Sequence, residues 1–374
     1  MAGSSLSYLW PGVPLALASA VAFGAATPLS KVLLASVDPQ LLAGLLYLGA
    51  GVGLGGVHFT RWALGIAAQE APLRRGDMPW LGAVILIGGI VGPLLLMLGL
   101  SRTQAASGAL LLNLESVATM ALAWLVFREN VDRRLLLGAF AILAGAVVLS
   151  WEGQGVDFDV GAVSIAGACL AWGVDNNLTR KLSAADPVAI AMYKGLVAGA
   201  VNTGFALWWG AAMPSVGLLG AAGIVGFVGI GVSLVLFILA LRHLGAARTG
   251  AYFSLAPFIG ALLAIAVLNE PPTVQLAVAA TSMGFGLWLH LAERHRHEHR
   301  HEALEHEHSH THDDHHRHVH DGPVTEPHSH WHRHTPLRHT HPHYPDLHHR
   351  HRHWRRGPVE AADKLCSPHG GAEK

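Results

Sequence analysis

The middle of the chain reads Trp172-Gly173-Val174-Asp175-Asn176-Asn177-Leu178-Thr179-Arg180-Lys181. One aspartate and two asparagines stand together here, and long apolar runs lie on both sides. Polar residues in such surroundings need a partner or a function, because a buried polar group without a hydrogen bond costs free energy. The organisation of the whole chain can be worked out from this stretch.

Composition places the chain in the membrane class. Of its 374 residues, 51% are hydrophobic and 13% are charged, whereas soluble proteins carry about 25% charged residues. Much of the charge follows Glu293, so the preceding part is more apolar still. The formal net charge of +0 gives no global field that would favour nucleic acid. We expect the lipid bilayer as a partner and no nucleic acid.

About ten segments can cross a membrane, since a spanning helix needs about 20 mostly apolar residues. Short connections with turn signals such as Asp186-Pro187 separate them. We predict an all-α integral membrane protein with ten transmembrane helices. The predicted spans are Gly12–Ala35, Gln40–Trp62, Met78–Leu100, Thr103–Phe127, Arg133–Trp151, Val160–Leu182, Pro187–Gly210, Ser215–Leu241, Ala246–Leu268 and Thr273–Leu291.

The basic residues predict the orientation, because cytoplasmic loops are enriched in Lys and Arg. They fall between spans two and three, four and five, six and seven, and eight and nine. The alternate loops hold little more than Lys31 and Arg102. We therefore expect a multi-pass protein of the cytoplasmic membrane with both termini in the cytoplasm.

The chain also repeats itself, because the central stretch has a counterpart in Phe23-Gly24-Ala25-Ala26-Thr27-Pro28-Leu29-Ser30-Lys31. Weaker matches follow in the same order, such as Leu114 with Leu255 and Glu129 with Glu270. Each half holds five spans, so the second half enters the membrane in the opposite direction. This is the inverted-repeat plan of secondary transporters, whose sites lie near the midplane between the repeats. The predicted repeats cover residues 10–151 and 158–292.

These motifs resemble the EamA-type transporters of the drug/metabolite transporter superfamily. The resemblance rests on the paired nine-residue motifs and on Leu255-Ala256-Pro257 and Asn269-Glu270 in span nine. It covers about residues 10–291. It implies two inverted five-helix repeats, with spans one to four and six to nine around a central cavity and spans five and ten outside. One departure is Glu115-Ser116, which stands in the first half where the second half has Pro257.

The charged residues near the middle of the spans are the candidate site. Asp175 lies about nine residues before the turn between spans six and seven, and Lys194 about nine after it, so each is roughly 14 Å from that end. They are level and able to pair, and Glu115 also lies near mid-span. We predict a substrate or coupling site of Glu115, Asp175, Asn176 and Lys194. It could bind a zwitterion or a cation, or carry protons.

Structural roles explain the same residues in a second way. Asp175 and Lys194 could form an ion pair that only neutralises both charges. Asn176 and Asn177 could be interhelical hydrogen-bond donors, each worth about 0.6 kcal/mol. Lys31 lies near a span end, where snorkelling to the interface accounts for it.

Two prolines inside the spans predict helix kinks. Pro28 and Pro257 each remove a backbone hydrogen bond. In a transporter such a kink can expose carbonyl groups to a cavity; otherwise it only shapes the bundle.

The C-terminal segment, residues 294–374, has a different composition. Of the 27 histidines in the chain, 23 lie between His295 and His353. Few apolar residues are present, so we predict a disordered cytoplasmic tail. Imidazole is a common ligand of transition metals, so Zn, Ni or Co could bind there. The first candidate ligands are His295, His297, His299, His306, His308 and His310.

The sequence as a whole predicts a secondary transporter, not an enzyme. It would move a small polar or amphipathic metabolite or drug by alternating access, coupled to protons or to solute exchange, with no required cofactor. A divalent-metal carrier and a membrane-anchored metal buffer or sensor that uses the tail are the alternatives. A homodimer is compatible with the sequence.

Overall fold

The computed structural model describes residues 12–65, 71–127, 133–151, 160–182, 185–291, 296–300, 304–310, 328–334 and 338–342. Up to residue 291 these residues are almost entirely helical. The helices are α1 Gly12–Leu33, α2 Pro39–Ala63, α3 Met78–Val84, α4 Gly92–Arg102, α5 Ala105–Leu111, α6 Leu114–Phe127, α7 Arg133–Leu149, α8 Val160–Leu182, α9 Pro187–Trp208, α10 Val216–Val225, α11 Ser233–Phe253, α12 Ala256–Leu268 and α13 Val274–Leu291.

The all-α membrane class is confirmed. By length and composition, six described helices can cross a membrane: Gly12–Leu34, Pro39–Ala63, Arg75–Arg102, Ala105–Leu122, Pro187–Trp208 and Val216–Ala240. The segments Ala256–Leu268 and Val274–Leu289 are apolar but shorter. Helix α8 is long enough, but it carries Asp175, Arg180 and Lys181. Every predicted span therefore corresponds to helix in the structure.

Spans three and eight are not uniform α-helices, which the sequence did not predict. A π-helical segment joins α3 to α4 over Ile85–Val91, and a second joins α10 to α11 over Gly226–Val232. The two segments occupy equivalent places in the two repeats. Because π-helical turns are wider than α-helical turns, they interrupt the regular ladder of hydrogen bonds, often at functional sites.

Spans four and nine are both broken near their centres. The first break separates α5 from α6 at Leu112–Asn113, and the second separates α11 from α12 at Ser254–Leu255. Pro257 lies in the first turn of α12, where its missing N–H group needs no partner. Glu115 occupies the equivalent first turn of α6. The break therefore forms in the first half without a proline.

A loop was predicted between spans eight and nine, at residues 242–245. This prediction is wrong, because α11 remains helical through these residues. The chain nevertheless reverses within α11. The rings of Phe237 and Phe253 lie 4.9 Å apart, whereas sixteen residues of straight helix would separate them by about 24 Å. Two spans are therefore present, as predicted, and helical turns join them.

The packing of the helices is symmetric between the repeats. Helix α1 packs against α11 and α12, and its counterpart α8 packs against α4 and α6. Helices α2 and α9 pack together, as do α7 and α13. Exchanging spans one to five for spans six to ten leaves this pattern unchanged. The pattern is that of two repeats related by a pseudo-two-fold axis.

Gly24 and Gly173, the second residues of the paired motifs, each allow a close approach between helices of opposite repeats. A Cβ atom on Gly24 would lie 2.5 Å from the carbonyl oxygen of Ala256 in span nine. A Cβ atom on Gly173 would lie 2.9 Å from Ala118 in span four. Helices in lipid associate through such close packing of small residues. The repeated glycine therefore sets equivalent contacts in the two halves.

The turn between spans three and four is held from two sides. The Lys31 ammonium donates to the carbonyl oxygens of Leu100 and Thr103, at 2.5 and 2.7 Å. The Glu270 carboxylate accepts the N–H groups of Ala105 and Ala106, both at 2.8 Å. The Lys31 ammonium thus contacts free carbonyl groups at the end of a helix, where a positive charge is favourable.

The structure describes the tail only in four short strands. Strand β1 (Arg296–Arg300) pairs with β4 (Arg338–Pro342), and β2 (Leu304–His310) pairs with β3 (His328–His334), both antiparallel. Backbone pairing needs no apolar core, although a two-stranded sheet alone is marginally stable in water. The other tail residues lie outside the described residues.

A methyl group at Gly24 should destabilise the fold. Gly24→Ala forces α1 away from α12, and overpacking of this kind costs about 1–3 kcal/mol. Gly204→Ala is the matched control, because a Cβ there meets open space. Thermal unfolding in detergent should show a lower melting temperature for Gly24→Ala and an unchanged or higher one for Gly204→Ala. Equal melting temperatures would contradict the close-approach explanation.

Removal of the Glu270 carboxylate should weaken the start of α5. Glu270→Ala leaves two N–H groups without their acceptors, and loss of a helix cap costs about 0.5–2 kcal/mol. Glu270→Gln keeps one acceptor oxygen and should fall between the wild type and the alanine variant. The melting temperature in detergent checks this order. A Glu270→Ala protein as stable as the wild type would show that the cap contributes nothing.

Candidate functional site

A central cavity of about 850 Å³, including its opening, lies between the two repeats. In the described part of the chain, its lining comes from spans one to four and six to nine. None of it comes from α7 or α13, which are spans five and ten. Large apolar side chains of α7 and α13, such as Phe140 and Trp288, are exposed. This is the arrangement that the family resemblance implied. All four predicted site residues line this one cavity: Glu115, Asp175, Asn176 and Lys194.

The break in span four determines the position of Glu115. Because α6 begins at Leu114, Glu115 lies in the first turn of a helix. The free N–H groups at a helix start favour a negative charge. Across the cavity, the Asn176 amide donates to Glu115 Oε1 at 2.7 Å. In the described part of the chain no basic side chain forms an ion pair with Glu115.

Asp175 and Lys194 form a buried ion pair. The Lys194 ammonium lies 2.5 Å from Asp175 Oδ2, and the two side chains are 6% and 7% exposed. The Thr179 hydroxyl lies 3.4 Å from Asp175 Oδ1. The pair joins α8 to α9, as the depth comparison predicted.

The two asparagines connect the repeats in different ways. Asn176 contacts Glu115 and also lies 3.4 Å from the Thr119 hydroxyl. Asn177 donates to the Thr119 carbonyl at 3.2 Å and to the Gly173 carbonyl at 2.8 Å. Asn177 is therefore an interhelical contact between α8 and α6, whereas Asn176 presents its amide to the cavity.

The π-helical segment of span three adds a polar contact that the sequence did not reveal. The Gly88 carbonyl accepts from both the Tyr47 hydroxyl at 3.1 Å and the Trp172 indole at 3.0 Å. The Ile90 carbonyl accepts from the Asn202 amide at 3.2 Å. The Gly88-Gly89 pair inside an apolar span was the available signal. A Cβ on Gly88 would strike the Asp175 side chain.

Aromatic side chains form the apolar part of the lining. The Phe23 ring contacts the Trp172 ring edge-on, with centroids 6.1 Å apart, and the Phe253 ring at 5.3 Å. Phe23 and Trp172 are the first residues of the paired motifs, so the pseudo-symmetry brings equivalent positions together. Phe237 extends this cluster through Phe253.

The predicted kink residues lie in different settings. Pro28 is buried inside α1, between the lining residues Thr27 and Ser30. Pro257 begins α12 after the break in span nine. Neither proline lines the cavity, whereas Pro93, at the start of α4, does.

The predicted tail ligands lie partly on the short strands and partly outside the described residues. His297 and His299 lie on β1, and His306, His308 and His310 lie on β2. His295 lies outside the described residues. Among the residues that the structure describes, no three His, Cys, Asp or Glu side chains are placed to hold a metal ion. Metal binding by the tail stays a prediction.

A bundle of two inverted repeats around a polar cavity defines a membrane transporter. The model of the EamA-like transporter family matches residues 10–151 and again residues 159–292. The chain belongs to the EamA-like transporter family. It is a multi-pass membrane protein whose class of function is the transport of a small solute across the lipid bilayer.

Individual relatives agree with this assignment. An uncharacterized transporter of Methanothermobacter thermautotrophicus is 29% identical over 299 residues, which cover 75% of this chain and 86% of that protein. A probable 4-amino-4-deoxy-L-arabinose-phosphoundecaprenol flippase subunit ArnE of Pseudomonas paraeruginosa is 37% identical over 109 residues. These cover 29% of this chain and 92% of that protein. A solved crystal structure with a TM-score of 0.56 and 18% identity covers 74% of this chain and 94% of its own, and it shows the fold alone.

Single and double variants show whether the ion pair contributes to the stability of the protein, to transport or to both. Lys194→Met leaves Asp175 buried without its partner, and breaking a buried pair in this way costs about 3–5 kcal/mol. The double variant Asp175→Asn, Lys194→Met removes both charges and should recover most of the melting temperature. If the double variant melts as low as the single variant, the pair does not account for the stability.

Solute uptake into proteoliposomes shows whether the pair has a second role. If the double variant recovers both its melting temperature and the uptake of solute, the pair has a structural role alone. Restored stability without uptake assigns it to transport as well.

Proposed function

We propose that the protein moves a small polar or amphipathic solute by alternating access, in exchange for protons or for a second solute, and that Glu115 couples the two movements. Asn176 positions the Glu115 carboxylate, and the Asp175–Lys194 pair fixes spans six and seven beside it. Both termini would face the cytoplasm, as the distribution of basic residues predicts.

The observation that carries this proposal is the Glu115–Asn176 contact. It joins α6 of the first repeat to α8 of the second repeat, inside the cavity that both repeats line. A change in the charge of Glu115 therefore acts directly on the contact between the moving halves. In inverted-repeat transporters, the coupling sites lie at this interface, near discontinuous helices.

A carboxylate without a basic partner suits coupling better than a paired one. Asp175 already has Lys194 at 2.5 Å, so its charge is compensated. Glu115 receives an amide donor, which is uncharged. It can therefore exchange a proton or a solute without first breaking an ion pair.

The composition of the lining supports an amphipathic solute. Phe23, Trp172 and Phe253 provide an apolar wall, while Glu115 and Asn176 provide polar atoms. The similarity to a probable 4-amino-4-deoxy-L-arabinose-phosphoundecaprenol flippase subunit supports the same class. Pockets for small molecules have this composition in general, mostly apolar with a few polar groups that fix orientation.

Transport of a divalent metal has no support from the cavity. Among the residues that the structure describes, its lining contains no His or Cys, and one of its two acidic residues is already paired with Lys194. Transition metals favour imidazole and thiolate ligands.

Substitution of Glu115 by glutamine tests the proposal. Glu115→Gln keeps the shape and an acceptor for Asn176 but cannot change charge. In proteoliposomes with an imposed pH gradient, gradient-driven uptake of a panel of cationic, neutral, anionic and zwitterionic solutes should fall at least tenfold. The dependence of uptake on pH should disappear.

Asp77→Asn is the matched control, because Asp77 lies in the turn before α3 and accepts the Arg74 N–H group. It should transport as the wild type does. Gradient-driven uptake by Glu115→Gln at the wild-type rate would overturn the role of Glu115.

A further inference from the structure

The cavity carries an uncompensated negative charge. In the described part of the chain three charged side chains line it, and two of them, Asp175 and Lys194, neutralise each other. Glu115 is the third, and its printed contacts are with uncharged groups. When Glu115 is ionised, the lining therefore has one negative charge in excess.

Among the residues that the structure describes, the same lining has no basic group available for an anion. Lys194 is the basic residue of the lining, and its ammonium is held by Asp175. A solute carboxylate or phosphate would have to break that buried pair. It would also be repelled by the ionised Glu115 carboxylate, because like charges interact strongly where water is excluded.

The aromatic wall favours a cation with an apolar body. Phe23, Trp172, Phe237 and Phe253 form one connected cluster in the lining. Aromatic faces attract ammonium groups, most strongly where water is excluded. Their edges and the neighbouring Met97 and Leu96 offer apolar contact for the rest of the solute.

We infer that the transported solute is an amphipathic monovalent cation, a protonated amine on an apolar and preferably aromatic body. The ammonium group binds at Glu115 in place of a proton, and the body lies against Phe23 and Trp172. This inference rests on the proposed function, because it uses the same cavity and the same carboxylate. A zwitterion is disfavoured, because its carboxylate would compete with Asp175 for Lys194.

A charge series of one molecular shape tests the inference on the full-length wild-type protein. The probes are 2-phenylethylammonium, neutral 2-phenylethanol, anionic 3-phenylpropionate and zwitterionic phenylalanine. In equilibrium dialysis, radiolabelled 2-phenylethylammonium should bind to the protein. Each of the other three probes should displace it at least tenfold less effectively than unlabelled 2-phenylethylammonium does. Acidification should also displace the cation. Displacement by the neutral, anionic or zwitterionic probe as effective as that by the cation would overturn the inference.

Two variants connect the binding to Glu115. Glu115→Gln should weaken 2-phenylethylammonium binding at least tenfold, while Glu115→Asp, which keeps the charge, should retain the preference for the cation. Asp77→Asn should bind as the wild type does. Unchanged cation binding by a folded Glu115→Gln protein, checked by its melting temperature, would contradict the inference.

Flux in proteoliposomes separates this inference from the proposed function. If a neutral or anionic solute moves in a Glu115-dependent manner and the cation does not, the assignment of the solute class is wrong and the proposed function stands. If no solute of any charge class moves, the proposed function fails, and the inference fails with it. Glu115-dependent movement of the cation supports both.

Discussion

The compensation of charge inside a low-dielectric bundle is the constraint on which the site depends. A carboxylate and an ammonium at mid-membrane depth are tolerated when they meet each other, and Asp175 and Lys194 do so at 2.5 Å across α8 and α9. Their pairing fixes the seam between spans six and seven. Among the residues that the structure describes, Glu115 then has no ion-pair partner. The described charges of the cavity therefore divide into one ion pair and one carboxylate, which accepts from the neutral Asn176 amide.

The fold is symmetric, whereas the site is not. Phe23-Gly24 and Trp172-Gly173 place their aromatic rings together at the centre, and each glycine lets its helix approach the opposite repeat. The fourth to sixth residues of the motif are Ala26-Thr27-Pro28 in one copy and Asp175-Asn176-Asn177 in the other. Symmetric packing gives an inverted-repeat bundle two equivalent ways to open. The second copy therefore presents Asp175 and Asn176 to the cavity, where the first copy presents Ala26 and Thr27.

Much of the fold and part of the site could be predicted from the sequence. Apolar length predicted the spans, and counting residues from the turn between spans six and seven predicted that Asp175 and Lys194 are level. The contact between Glu115 and Asn176 could not be predicted, because the rotation of α6 depends on the break at Leu112–Asn113, which no proline marks. The π-helical turns were also invisible, because hydrophobicity does not distinguish a wide turn from a regular one. The contacts of Lys31 could not be predicted either, because its acceptors, the carbonyl groups of Leu100 and Thr103, belong to a distant part of the chain.

Counting the protons released when a solute binds tests the central claim, that Glu115 holds either a proton or the solute. Calorimetric titration of the purified wild-type protein with 2-phenylethylammonium, in two buffers of different ionisation enthalpy, gives this number over a range of pH. Release should approach one proton per bound cation at the acidic end of the range and fall towards zero as the pH rises. Binding that releases no proton at any pH would contradict competition for one carboxylate.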